Sequence, residues 1–149
     1  MSGSPAERAR WMAVLAQAAA EEVEAAWRGL ADPPAYRLVR GPETGLVMVQ
    51  GRAGGNGARF NLGEMTVTRC TVALTDGRLG HAYVGGRDGR HAERAAALDA
   101  MLQDPGRRPV LEAGVIAPLR AQQEAQRAAA RARAAGTRVE FFTMVRGEE

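Results

Sequence analysis

Apolar residues recur at helical spacing near the start of the chain: Trp11, Val14, Leu15 and Ala18, then Val23, Trp27 and Leu30. Ser4, Pro5 and Glu7 form a helix-start signature, with serine at N-cap, proline at N1 and glutamate at N3. The spacing predicts a helix broken near residues 18–21 and finished by Asp32, since Pro33 and Pro34 cannot continue it. Both tryptophans are expected in the core. From residue 36 to residue 84 the period shortens to two. Residues 36–40 and 46–50 read as strands around Gly41-Pro42-Glu43-Thr44-Gly45, a hairpin loop by composition. Residues 65–75 form a long β-branched run, and Asp76-Gly77 predicts a tight hairpin into residues 79–84. On the long run Thr66, Thr68, Cys70, Val72 and Leu74 share one face, and Met65, Val67, Arg69, Thr71 and Ala73 the other. Neither face is purely polar, so cover is expected on both, from helices or from a partner. Cys70 reads as a small buried hydrophobe.

Helical spacing returns at residues 88–103, with Asp88 at N-cap and His91, Ala95, Leu98 and Leu102 on one stripe. Asp104-Pro105-Gly106 ends that helix. A loop with Arg107, Arg108 and Pro109 leads through residues 110–116 to a long helix from Pro118 to Ala135, with Gly136 suited to C′. Residues 139–146 then alternate as a strand, with Val139, Phe141, Thr143 and Val145 on one face. The expected fold is α+β and a single domain over residues 1–149. It comprises an N-terminal helix, an antiparallel meander, a central helix, a long Ala/Arg helix and a C-terminal strand returning to the sheet.

Composition alters this picture mainly by what it leaves out. All 20 basic residues are arginine, the only serines are Ser2 and Ser4, and Cys70 is the only cysteine. That excludes a Walker-type lysine, Schiff-base chemistry, a nucleophile elbow, an intrachain disulfide and a cysteine zinc cluster. With 46% hydrophobic and 25% charged residues the chain is globular in composition. No window approaches the ~20 apolar residues of a transmembrane helix, and residues 1–10 carry no cleavage signal, so a cytoplasmic location is expected. The net charge of +3 fits an anionic partner, although an excess of Ala, Arg and Gly also arises from codon usage alone.

Two stretches carry candidate chemistry. Arg52-Ala53-Gly54-Gly55-Asn56-Gly57 could offer backbone N–H groups to a phosphate through Gly54, Gly55 and Gly57, but a hairpin loop is the plainer reading. In residues 85–94 a strand ends in two glycines and a helix opens with Arg87, Asp88, Arg90, His91 and Glu93, a setting that attracts anions. There His91 is either an acid–base group or a satisfied core ring, and the residues alone do not choose. His81 and His91 match no metal-ligand spacing, so no metal is expected. Arg120, Glu124, Arg127 and Arg131 stripe the long helix, whose other faces are mostly alanine. Alanine buries little surface, so residues 118–136 are a candidate partner-binding arm. No aromatic residues interleave with its arginines, which argues against nucleic acid.

Four blocks in order resemble the PhnG family, the G subunit of the phosphonate carbon–phosphorus lyase core complex. They are residues 43–57 (ETGLVMVQGRAGGNG), residues 63–69 (GEMTVTR), Gly86-Arg87-Asp88 with His91-Ala92-Glu93-Arg94, and residues 139–147 (VEFFTMVRG). The resemblance implies a bacterial subunit that assembles with the H, I and J proteins. With H, I and L it would serve the step in which methylphosphonate displaces adenine from ATP, giving α-D-ribose 1-methylphosphonate 5-triphosphate. The iron–sulfur cluster and S-adenosylmethionine of the later cleavage are expected on a partner, and no cofactor on this chain. The family supplies no catalytic residue here; Arg146, in the last block, joins the anion or interface candidates. A stand-alone phosphate- or nucleotide-binding module, or small enzyme, built on the 87–94 turn is the alternative.

Overall fold

The computed structural model describes residues 3–54 and 57–147, with side chains as far as residue 136. The chain begins with two helices, α1 (Pro5–Gln17) and α2 (Ala20–Arg28). Ser4 caps α1, its Oγ accepting from the Glu7 N–H at 3.1 Å. Between the helices Ala18 and Ala19 are extended (ψ 156° and 146°), which breaks the helix where the sequence predicts. Three strands follow, β1 (Tyr36–Arg52), β2 (Arg59–Leu74) and β3 (Leu79–Gly85), in an antiparallel sheet of order β1-β2-β3. Helix α3 (Gly89–Leu102) then crosses the sheet. A short α4 (Arg108–Leu111) and a π-helical turn (Glu112–Ile116) lead into α5 (Ala117–Gly147). The class is α+β, as expected.

Side-chain alternation on β2 sorts the core. Thr68, Cys70, Val72 and Leu74 are buried under α3 and the N-terminal helices, joined by Ala82 and Val84 of β3. Trp11, Leu15, Val23, Leu98, Leu102 and Ile116 complete this layer, and both tryptophans are core residues. Helix α3 lies close because its buried positions include small residues, Ala95, Ala96, Ala97 and Ala100, and Gly80 of β3 lies against Ala96 and Ala100. A Cβ at Gly80 would collide with the Ala96 carbonyl and stand 2.8 Å from the Ala100 nitrogen.

The structure corrects the sequence reading in several places. Gly41–Gly45 is not a hairpin loop but a bulged stretch inside β1. The register slips between Leu38 and Arg40 and again between Arg40 and Glu43, and pairing with β2 then resumes. Gly41 (φ +78°) lies so near the Arg69 carbonyl that a Cβ would sit 2.7 Å from it, and Pro42 is tolerated because β1 is an edge strand. β2 is long enough to pair with both halves, so the glycines bend the strand without reversing it. The reversal comes between the end of β1 at Arg52 and the start of β2 at Arg59, where the Gly57 N–H donates to the Ala53 carbonyl at 2.8 Å. Accordingly β2 starts at Arg59, not Met65.

The expected strand at residues 139–146 is helical, and Gly136 does not end α5. A strand needs a neighbour for its backbone groups, and none of the three strands pairs with this segment. A helix satisfies them internally, and one glycine costs it only about 1 kcal/mol. Arg108 and Pro109, expected in a loop, open the short helix α4, and the π-helical turn follows it directly. Among the described residues, helices cover only one face of the sheet. On the other, Met65, Leu79 and Tyr83 are exposed, with Tyr83 at 61%.

Candidate functional site

The turn from β3 into α3 is built as the sequence suggests. Asp88 caps α3, its Oδ1 accepting from the His91 N–H at 3.1 Å. Thr68 donates its hydroxyl proton to the Gly86 carbonyl at 2.7 Å, so the Thr44 hydroxyl, 3.0 Å from Thr68 Oγ1, must donate to it. The His91 ring is buried, with Nε2 2.9 Å from the Leu15 carbonyl. A carbonyl only accepts, so Nε2 carries the proton and ties α3 to α1. This geometry is that of a satisfied core histidine.

The charges beside it are matched within the chain. Glu24 of α2 accepts from Arg94 Nε at 3.0 Å and from Arg90 Nη2 at 3.3 Å. The Tyr36 hydroxyl donates to Glu93 at 2.8 Å and accepts from Arg94 Nη1 at 2.9 Å. The Arg94 guanidinium also lies 4.7 Å from the centre of the Trp27 ring, which meets Tyr36 edge-on. Hydrogen bonds from Arg94 and then Arg90 hold the Glu24 carboxyl below its ordinary pKa, and Glu24 in turn raises Arg90. Burial, followed by the bond to Glu93, pushes Tyr36 up to about 12. Burial also pushes the Cys70 thiol up to about 11, which suits a hydrophobe and not a nucleophile. Of the candidates in this turn, Asp88, Arg90, His91 and Glu93 are thus engaged in holding the fold, while Arg87 is exposed.

The remaining candidates lie elsewhere. Gly54 and Gly57 sit in the β1–β2 turn, remote in register from the 87–94 turn, and Gly55 falls outside the described residues. Arg120 is half-buried near the start of α5. Beyond Gln123, whose amide donates to the Val14 carbonyl at 2.8 Å, every residue through 136 is exposed, Arg127 and Arg131 included. Arg146 is in the last turns of α5, and its side chain lies outside the described residues. Among the described residues no three His, Cys, Asp or Glu side chains are grouped to hold a metal, and no helix is long and apolar enough to cross a membrane.

Sequence reasoning missed the most connected polar group. Asp99, fully buried on α3, accepts from Arg8 Nε (3.1 Å) and Nη2 (2.8 Å), Trp11 Nε1 (2.8 Å) and the His81 backbone N–H (2.9 Å). A carboxylate flanked by Leu98 and Ala100 was the available signal, since a buried aspartate needs partners. Glu24 was likewise foreshadowed: Arg90 and Arg94 stand one helical turn apart and repel unless a carboxylate comes between them.

Fold and clusters together define a small α+β protein whose polar groups mostly serve its own architecture, and whose long hairpin and C-terminal helix project from the body. Residues 6–147 match the family described as phosphonate metabolism protein PhnG, and the chain belongs to that family. Over 144 residues it is 45% identical to a Rhizobium meliloti (strain 1021) protein named alpha-D-ribose 1-methylphosphonate 5-triphosphate synthase subunit PhnG. The alignment covers 97% of this chain and 92% of that protein.

Proposed function

We propose that this chain is a non-self-sufficient subunit of the assembly that transfers the ribose 5-triphosphate moiety of ATP to methylphosphonate with release of adenine. The observation that carries this reading is the near full-length identity to a protein named as a subunit of that synthase. In this reading its partners are the H, I and J proteins of the carbon–phosphorus lyase core complex, with L in the same step, in the bacterial cytoplasm. Any iron–sulfur cluster and S-adenosylmethionine belong to a partner, and ATP is the substrate of the whole. Displacement at the anomeric carbon depends on holding anions in place and protonating the leaving base, which is largely positioning and electrostatics. A subunit can serve that work by organising its neighbours. The engagement of Arg90 and Arg94 by Glu24 supports this role over a stand-alone phosphate site at the 87–94 turn.

Reconstitution tests it. The chain alone should release no adenine from ATP, and adding it to an assembly prepared without its G subunit should restore ribose methylphosphonate triphosphate formation. Adenine release at a catalytic rate by the purified chain without the I subunit would overturn the reading. Tight ATP binding by the isolated chain would favour the stand-alone module instead.

A further inference from the structure

β1 and β2 continue well beyond the part of the sheet that β3 and the helices support. β3 pairs only with residues 67–73 of β2, while β1 and β2 remain paired out to Arg52 and Arg59. Residues 46–52 and 59–65 thus form a free two-stranded ribbon. Leu46 (63% exposed), Val47, Met48 and Val49 are consecutive, so they place apolar side chains on both faces. Across from them Phe60, Leu62 (62%) and Met65 are also exposed, and Phe60 and Leu62 meet over Gly51. A two-stranded ribbon is marginal in water by itself, and one apolar on both faces is an aggregation hazard unless it is covered.

The charge at its tip says what covers it. Arg52 and Arg59 are directly opposed across the strands, an arrangement that destabilises a ribbon. Elsewhere this chain places its own carboxylate between neighbouring arginines: Glu24 lies between Arg90 and Arg94, and Glu43 between Arg40 and Arg69. Among the described residues no carboxylate reaches Arg52 or Arg59. A second copy is the poorer match. It brings the same net charge of +3, Glu43 near the ribbon's base already has two arginines, and Glu64 stands opposite Met48, five residues back from the tip.

We propose that the ribbon is a docking element that inserts into a groove of a different protein subunit. That groove is apolar on both walls and carries one or more carboxylates at its end, which meet Arg52 and Arg59. This rests on the proposed subunit role and assigns it a surface. Enclosing both faces buries side chains that a flat contact would leave half wet, and the carboxylate supplies the counter-charge the tip lacks.

The test co-expresses the full chain with the H, I and J subunits and compares wild type with Leu46→Ser/Leu62→Ser and with Arg52→Glu/Arg59→Glu. Wild type should co-elute as one assembly; if it does not, the subunit reading itself fails. Each variant should keep the far-ultraviolet spectrum and melting temperature of the free chain, yet bind at least about tenfold more weakly. Assembly of both variants at wild-type affinity would overturn the docking element while leaving the subunit role standing. Should the double serine variant misfold, hydrogen exchange of the unmodified chain decides. Ribbon amides should exchange at least about tenfold more slowly in the assembly than in the free chain, and equal rates would overturn the proposal. A homodimer of the free chain with the ribbon already protected would overturn it in favour of a second copy.

Discussion

Replacing Asp99 should be among the most damaging single changes to this fold, although in the sequence only its apolar neighbours Leu98 and Ala100 hint at it. Its carboxylate is fully buried and takes the guanidinium of Arg8, the indole N–H of Trp11 and the outward-facing backbone N–H of His81. It therefore joins α1, α3 and the edge strand β3 at one point. Asp99→Ala leaves the Trp11 and His81 donors buried without an acceptor, each worth about 1–3 kcal/mol, beside a guanidinium that has lost its partner. The expected loss is about 4 kcal/mol, in the range for breaking a buried pair. Against a typical total of roughly 5–15 kcal/mol, that should lower the melting temperature by about 10 °C or more. Asp99→Asn should cost nearly as much. If its Oδ1 keeps Arg8 Nε and Trp11, its new NH2 points at Arg8 Nη2 and the His81 N–H, and donor meets donor. Arg8→Ala should cost less, about 2 kcal/mol, because that side chain is 32% exposed and water can replace it. Urea unfolding followed by the fluorescence of Trp11 and Trp27 measures all three, and Arg8→Ala/Asp99→Ala closes the cycle. The double change should be milder than the sum by about 1 kcal/mol or more. An Asp99→Asn variant within about 0.5 kcal/mol of wild type would refute the assignment of Asp99 as the acceptor that organises this corner.

Other consequences are open to direct measurement. Gly80→Ala should cost about 2–3 kcal/mol in the same urea assay, because its methyl group meets the Ala96 backbone and not a flexible side chain. Tyr36 holds its proton more tightly folded than unfolded, so its contribution is complete below pH ~10 and is lost as the pH rises through about 12. Tyr36→Phe should flatten that alkaline loss in a pH series of melting temperatures. Glu24 has the opposite sign: its lowered pKa stabilises the fold above the ordinary carboxylate range, and that support fades as the pH falls below ~4. Glu24→Gln should weaken the acid dependence. Arg127→Glu/Arg131→Glu, on the exposed part of α5, should shift free-chain stability by less than about 0.5 kcal/mol while lowering co-elution with partner subunits.

Much of this protein is legible in the sequence because it is set locally. Ser4-Pro5-Glu7 starts α1 and Asp88 starts α3, since each cap answers backbone donors within three residues. Asp76-Gly77 closes the β2–β3 hairpin, with Leu74 N–H donating to the Arg78 carbonyl at 2.9 Å. The stripe of His91, Ala95, Leu98 and Leu102 is buried as its spacing requires. Gly54 and Gly57, read as part of a hairpin loop, likewise lie in the true β1–β2 turn. Only the tertiary structure decided whether Gly41-Pro42 reverses the chain or merely bulges it, because β2 had to be long enough to pair on both sides. It also decided residues 139–146, where alternation suits a strand but no strand edge takes the segment, and helix satisfies the backbone unaided. The candidate turn shows the same division. Its residues were readable, but whether Arg90, His91 and Arg94 were free for a ligand depended on Glu24 and Leu15, about 70 residues away in sequence. Long-range pairing of charge and carbonyl has no sequence period, and folding alone brings those groups together.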